Sequence, residues 1–148
     1  MGQARDTMNR LTETLFSKDM DALKQLYAPE AVMETPDQGP VRGRDAIASY
    51  VGELMAAFPD ASYETGYEHE SGDNAIDEGF FVGTHTGPLA GPDGESIAPT
   101  GKAVRMRACD VASIKDGLVT QHRLYFDQID FLGQLGLLPE QERASIEG

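Results

Sequence analysis

The spacing of apolar residues predicts helices in the first part of the chain. Met8, Leu11 and Leu15 recur at helical intervals and predict a helix over residues 6–16. Asp19 stands where an N-cap is expected and predicts the start of a second short helix. The chain therefore opens with two consecutive helical segments.

The clearest helical period in the sequence follows a short extended segment. Pro29 ends the second predicted helix, residues 31–35 form a strand candidate, and residues 36–40 have the composition of a turn. A third helix is predicted to begin near Gly43 and to stop at Pro59. Its apolar positions follow the 3.6-residue period and are Ile47, Tyr50, Val51, Leu54, Met55 and Phe58.

The rest of the chain changes to a pattern typical of strands. Four strand candidates are present, at residues 62–69, 74–86, 102–114 and 118–127. The segment 87–101 is predicted to be a long loop, and residues 129–138 a short final helix broken at Gly136 and Pro139. Helices followed by a run of antiparallel strands predict an α+β fold, in which the helices cover one face of a curved sheet.

Composition narrows the classes of function. The chain has 148 residues, of which 40% are hydrophobic, and this is expected of a single domain over residues 1–148. A single cysteine, Cys109, and three histidines exclude an internal disulfide framework and a Cys/His zinc site. No metal motif and no cofactor motif is recognised, so we expect neither a metal nor a cofactor.

Charge and hydropathy bear on partners and location. The net charge of -13 disfavours binding to nucleic-acid phosphates. No apolar run approaches the roughly 20 residues of a membrane helix, and no secretory signal is recognised near Met1. We therefore expect a cytoplasmic protein with no membrane partner.

Several short sequence words occur in an order that resembles a known family. They are residues 21–32 (DALKQLYAPEAV), 43–47 (GRDAI), 57–60 (AFPD), 83–89 (GTHTGPL), 99–102 (PTGK), 125–128 (YFDQ) and 134–139 (QLGLLP). The ordered set, from about residue 5 to 139, resembles the SnoaL-like polyketide cyclases and ester-cyclase-like proteins of the NTF2-like superfamily. No single word is diagnostic.

The resemblance implies an NTF2-like (cystatin-like) α+β cone. In that fold the N-terminal helices pack in a strongly curved, mostly antiparallel sheet around a central pocket, and homodimers form through the outer sheet face. The implied function is binding of a small apolar or polycyclic carbonyl compound, with cofactor-independent acid/base activity as a cyclase or isomerase. The alternative is a non-catalytic ligand-binding or dimerisation module of the same fold.

Two aspartates are candidate acid/base residues. The resemblance implies that Asp127, at the end of the last strand, moves the proton, and the alternative is that it caps the following helix. Asp110 alternates with apolar residues of its strand and is expected on their face, where a carboxyl must be paired or protonated. The alternative is that the opposite face of that strand, with Arg105 and Arg107, points inward.

The remaining candidates orient or contact the ligand. His85, beside the long loop, is a candidate proton relay, and the alternative is a hydrogen-bonded structural residue. His122 is expected on the core or cavity side of its strand. Arg123, Tyr125 and Asp127 share one face of their strand. If that face lines the pocket, Tyr125 would position a carbonyl group and Arg123 an anion, and if it faces out, the three belong to the dimer surface. A bulge in the strand would change which face lines the pocket. Tyr50 and Phe58 are expected to line the pocket.

Two departures argue against ketosteroid isomerase activity. Thr35 occupies the position that resembles that of the general base in those enzymes, and Leu11 stands where they carry a donor tyrosine.

Overall fold

The computed structural model describes residues 2–91 and 94–138, which form helices and strands in a mixed order. The helices are α1 Gln3–Ser17, α2 Met20–Lys24, α3 Arg44–Ala57 and α4 Gln128–Gln134. The strands are β1 Tyr27–Thr35, β2 Gly39–Arg42, β3 Ser62–Ser71, β4 Asn74–Thr84, β5 Leu89–Ala90, β6 Ser96–Ile97, β7 Ala103–Lys115 and β8 Leu118–Phe126. None of the helices in these ranges is both long and apolar enough to cross a membrane.

Six strands form one curved sheet in the order β2-β1-β8-β7-β4-β3. Every pair is antiparallel except β1 and β8, which run parallel. The register shifts between Thr65 and Tyr67 of β3 and again between Ser113 and Ile114 of β7. Such bulges bend strands and strengthen their twist. A side chain at Gly79, opposite the first bulge, would collide with the carbonyl of Glu64, so glycine is required there.

The core lies between the concave face of this sheet and helices α1 and α3. Alternate residues of β7, including Met106 and Ala112, are buried, and their neighbours Arg105 and Arg107 are exposed. α1 contributes buried residues such as Met8 to the same core. The α+β cone expected from the sequence is therefore confirmed.

The structure confirms the predicted helices and the four long strands, with small changes at their ends. Asp19 caps α2, since its side chain accepts the backbone N–H of Ala22. The predicted end of the second helix at Pro29 is wrong, because Pro29 lies within β1. Pro139, predicted to break the last helix, lies outside the described residues.

Two short pairings were not predicted from the sequence. β2 contains Pro40, which is tolerated because β2 is an edge strand that pairs only with β1. The long loop over residues 87–101 contains a small hairpin, β5–β6.

Residues of the sheet hold the first turn of α1. Gly2 offers no side-chain cap, and the carboxylate of Glu70 on β3 accepts the backbone N–H groups of Gly2 at 3.1 Å and Arg5 at 3.0 Å. A carboxylate that satisfies the first N–H groups of a helix also interacts favourably with the helix dipole. Glu70 therefore caps α1 from a strand 65 residues away in sequence.

We predict that Glu70→Gln removes a pH-dependent part of the stability. The hydrogen bond from the backbone of Arg5 chiefly lowers the pKa of Glu70 in the folded protein. Its stabilisation is therefore complete above the unfolded pKa of about 4.3 and is lost as the pH falls through the folded value. Urea unfolding should show a difference between wild type and Glu70→Gln that is largest at pH 7 and shrinks at pH 3. The exposed control Glu13→Gln should show no such trend, and equal pH dependence of both variants would contradict the prediction.

Candidate functional site

A cavity lies between helices α1 and α3 and the concave face of the sheet. The space open to the centre of a water-sized sphere is about 110 Å³, several times what one water needs. Most of its wall is apolar: Leu11, Leu15, Phe16, Met33, Val51, Leu54, Met55, Phe81, Leu89, Met106, Ala108, Leu124, Phe126 and Phe131. The ionisable or phenolic side chains on the wall are Asp37, Tyr50, Tyr63, Asp77, Asp110 and His122.

Asp110, His122 and Tyr27 form a hydrogen-bonded chain at one side of this cavity. Nε2 of His122 lies 3.0 Å from Oδ2 of Asp110, and Nδ1 lies 2.7 Å from the hydroxyl of Tyr27. The register of β7 and β8 pairs Ala112 with His122, which places the imidazole diagonally across from Asp110. A bulge at Thr120 sets the parity of β8, so that His122 faces inward.

The burial of Tyr27 indicates which atom donates each hydrogen bond between Tyr27, His122 and Asp110. His122 is 1% exposed, and burial raises the pKa of Tyr27, so its hydroxyl keeps its proton. With this hydroxyl as the donor to Nδ1, an N–H of the ring lies on Nε2. That N–H donates to Asp110, whose side chain is 19% exposed and retains lone pairs directed at the cavity.

A second carboxylate, Asp77, is the register partner of Asp110 on β4. Arg5 of α1 lies with Nη2 2.7 Å from Oδ1 of Asp77, and both side chains are at most 5% exposed. The contact is an ion pair that is not aligned as a hydrogen bond. Burial raises the pKa of Asp77 although Arg5 opposes the shift. We call Tyr27, Arg5, Asp77, Asp110 and His122 the inner cluster.

Asp37 and Tyr50 form a separate polar contact on the cavity wall, which we call the outer pair. The hydroxyl of Tyr50 donates to Oδ1 of Asp37 at 3.0 Å. Burial, followed by the charge of Asp37, raises the pKa of Tyr50, so the phenol is the donor. Tyr50 therefore lies where it was expected, on the cavity wall.

The structure corrects the expected placement of Asp127. Its carboxylate is exposed, and Oδ1 accepts the backbone N–H groups of Ile129 at 3.0 Å and Asp130 at 3.1 Å. It is the N-cap of α4 and is not part of the cavity wall. Asp127 therefore acts as a helix cap, because its side chain is already engaged with the helix that follows.

Tyr125 and Arg123 also lie away from the cavity. Side chains alternate between the two faces of the sheet along β8, and those of Arg123 and Tyr125 lie on the outer face. There Tyr125 is 54% exposed and Arg123 donates to Gln121 at 2.8 Å. Their expected contact with a ligand in the pocket is therefore corrected. The bulge at Thr120 explains the outcome, since His122 and its alternating neighbours occupy the inner face.

His85 and Phe58 are core residues beside the cavity. His85 is fully buried, its Nδ1 accepts the backbone N–H of Thr100 at 3.1 Å, and its ring lies 5.4 Å from that of Phe58. Burial lowers the pKa of His85, which keeps the imidazole neutral. Phe58 packs against Phe81 and Phe131, two residues of the cavity wall. The expectation that His85 and Phe58 contact a ligand is corrected accordingly.

Three site residues were missed at the sequence level. Asp77 lies on the same face of β4 as Ala75 and Phe81, because alternate residues of a strand share one face. The reasoning that predicted Asp110 on the inner face would therefore have predicted Asp77 there as well. Arg5 stands three residues before the buried Met8 on the apolar face of α1, where a charge calls for a buried partner. Asp37 lies in a turn, and no periodicity indicates where its side chain points.

No group of three or more potential metal-binding side chains is found within residues 2–91 and 94–138. The ionisable and phenolic groups on the cavity wall are instead carboxylates, phenols and one imidazole. Such groups accept, donate and transfer protons.

Comparison with known proteins identifies the relatives of this chain. The family model of the SnoaL-like polyketide cyclases matches residues 5–135. The fold is similar to that of a candidate SnoaL-like polyketide cyclase from Jannaschia sp. CCS1, with 20% identity, a TM-score of 0.81 and coverage of 93% of this chain and 94% of that one. Wild-type IdmH, a candidate polyketide cyclase from Streptomyces antibioticus, is 27% identical with a TM-score of 0.75, over 91% of this chain and 99% of that one. No curated protein sequence matches the chain.

We predict that Asp77→Ala destabilises the fold by about 3 kcal/mol, because it leaves the guanidinium of Arg5 buried without its nearest carboxylate. The double variant Arg5→Met/Asp77→Ala should recover most of this loss, because the buried charge is then absent. Urea unfolding followed by circular dichroism measures both values. Additive losses in the double variant would contradict the ion-pair explanation.

The capping role of Asp127 gives a second prediction. Asp127→Ala should lower the free energy of unfolding by about 1 kcal/mol, whereas Asp127→Asn should leave it nearly unchanged, because asparagine is an equally good N-cap. Thermal and urea unfolding of the two variants provide the measurement. A loss of the same size in both would show that the charge, and not the cap, is what matters.

Proposed function

This chain belongs to the SnoaL-like polyketide cyclase family, and from that membership we propose that its cavity binds a small apolar or polycyclic carbonyl compound. The apolar wall supports this proposal, since it would bury the rings of such a compound. Asp77, Asp110 and His122 converge from neighbouring strands and would fix the orientation of the ligand.

We further propose that Asp110 is the acid/base residue of a cofactor-independent cyclase or isomerase. The observation that carries this proposal is the position of Asp110 on the apolar wall, hydrogen-bonded to His122 and directed into the cavity. A carboxylate held in this way can take a proton from a carbon next to a carbonyl group.

The proposed chemistry balances without a cofactor. Asp110 removes the proton, and the electron pair of the broken C–H bond moves into the carbonyl group to give an enolate. In an isomerisation, Asp110 returns the proton to another carbon. In a ring closure, the enolate carbon attacks a second carbonyl carbon, and Asp110 returns the proton to the resulting alkoxide.

His122 is proposed as a positioning residue. Tyr27 fixes the ring through Nδ1, so Nε2–H is held toward Asp110 and selects one orientation of the carboxylate. The role resembles that of other acid/base pairs in which one residue orients the other. Asp127, His85 and Tyr125 have no part in this proposal, because each is engaged elsewhere in the fold.

A homodimer formed through the outer face of the sheet, in the cytoplasm, completes the proposal. Exposed aromatic residues on that face support it, with Tyr67 68% exposed and Tyr125 54% exposed. Arg105 lies over the ring of Phe80, with its guanidinium carbon 3.7 Å from the ring centre, on the same face.

The acid/base proposal predicts exchange of acidic C–H protons in a bound ketone. In D2O, the wild-type protein should accelerate deuterium incorporation into the methyl group of 2-acetonaphthone, measured by proton NMR. Asp110→Asn should reduce this acceleration at least tenfold while still binding the ketone, because the amide keeps the shape of the carboxyl but takes up no proton.

Asp127→Asn is the matched control for this experiment. It removes a carboxylate from the exposed cap of α4 and should leave the exchange rate at the wild-type value. Equal rates in wild type and Asp110→Asn would refute the acid/base role. Binding of 2-acetonaphthone with no acceleration by wild type would instead favour the alternative, a non-catalytic ligand-binding module.

A further inference from the structure

We propose that the outer pair, Asp37 and Tyr50, is a binding site for a hydroxyl group of the ligand, at the end opposite its reacting carbonyl. This inference rests on the proposed function, since it concerns the same cavity. It assigns the ligand class more narrowly, as an elongated apolar carbonyl compound with a phenolic or enolic hydroxyl at its far end.

The carboxylate of Asp37 has the capacity to accept such a hydroxyl. Within the described residues, Asp37 receives a hydrogen bond from Tyr50 on Oδ1 and forms no ion pair with a lysine or arginine. An ionised carboxylate offers about four lone-pair sites, so most of its accepting capacity stays open. Tyr50 fixes the orientation of the carboxylate in the cavity wall.

The position of Asp37 defines which end of a ligand it would meet. Met33 of β1 is the register partner of His122, and Asp37 follows Met33 by four residues. β1 extends two residues past Met33, which is about 7 Å at about 3.3 Å per residue, and Asp37 lies in the turn that follows Thr35. The outer pair is therefore at least about 7 Å from the inner cluster along the strand direction. The wall between them carries apolar side chains, including Leu124 and Phe126 of β8. A ligand that spans both sites therefore needs a body of about two fused rings.

Asp37 also lies at a junction between two spaces. It borders the main cavity and an adjoining cleft beneath β5 and α4, and Leu89, Phe126 and Phe131 are shared by both. A hydroxyl bound by Asp37 would leave room for substituents to extend into this cleft. The outer pair is thus suited to select ligands by a polar group remote from the reaction.

Two probes that differ by one hydroxyl test the inference. 2-Acetonaphthone carries only the carbonyl group, and 6-acetyl-2-naphthol adds a hydroxyl at the far end of the same rings. Calorimetric titration at pH 7, where the naphthol is protonated, should give a Kd for the hydroxylated probe at least tenfold lower with wild-type protein. Hydrogen bonds to charged groups are large enough to produce such a ratio.

Variants assign this preference to Asp37. Asp37→Ala should bring the ratio of the two Kd values close to one. The control Glu34→Ala removes a nearby exposed carboxylate that does not line the cavity, and it should retain the wild-type ratio. Circular dichroism confirms that each variant is folded.

The outcomes separate this inference from the proposed function. If both probes bind wild type with the same Kd, or if Asp37→Ala keeps the preference, the hydroxyl site is refuted while the carbonyl-binding function stands. If neither probe binds, the proposed function fails and the hydroxyl site fails with it. A tenfold preference that is lost only in Asp37→Ala supports both.

Discussion

The arrangement of the site depends on the need to keep charge out of an apolar interior unless it has a partner. The pairing of β4 with β7 places Asp77 and Asp110 opposite each other on the concave face. Each carboxylate is then met by a group from a different element, Arg5 from α1 and His122 from β8. Because an unpaired charge there would be costly, the two contacts fix how α1 and β8 lie against the central strands. The cavity is the space left between these elements.

The sequence indicates much of the fold because periodicity is a property of neighbouring residues. The helical period around Ile47 and the alternation around Met106 depend only on local spacing, and the structure follows both. Local spacing could not predict which residues of β8 face inward, because the bulge at Thr120 depends on pairing with β7. That single extra residue decides that His122, and not Tyr125, reaches the cavity.

The site was predictable only where the same local rule applied. Asp110 was expected on the apolar face of its strand and lies there, whereas the resemblance directed attention to Asp127, which caps α4. Asp37 comes from a turn, and its contact with Tyr50 depends on how β1 approaches α3. Resemblance to a family supplies the fold, but the charged groups inside the cavity follow from pairings that only the folded chain specifies.

The parallel pairing of β1 with β8 bears on how the protein folds. Tyr27 and His122 are 95 residues apart in sequence, and they meet only when the first strand pairs with the last long strand. Contacts of such separation close long loops and slow folding. During synthesis, the cavity wall remains incomplete until β8 has left the ribosome. Until then α1 can pack against β3, β4 and β7, and the side of the cavity formed by His122, Leu124 and Phe126 stays open.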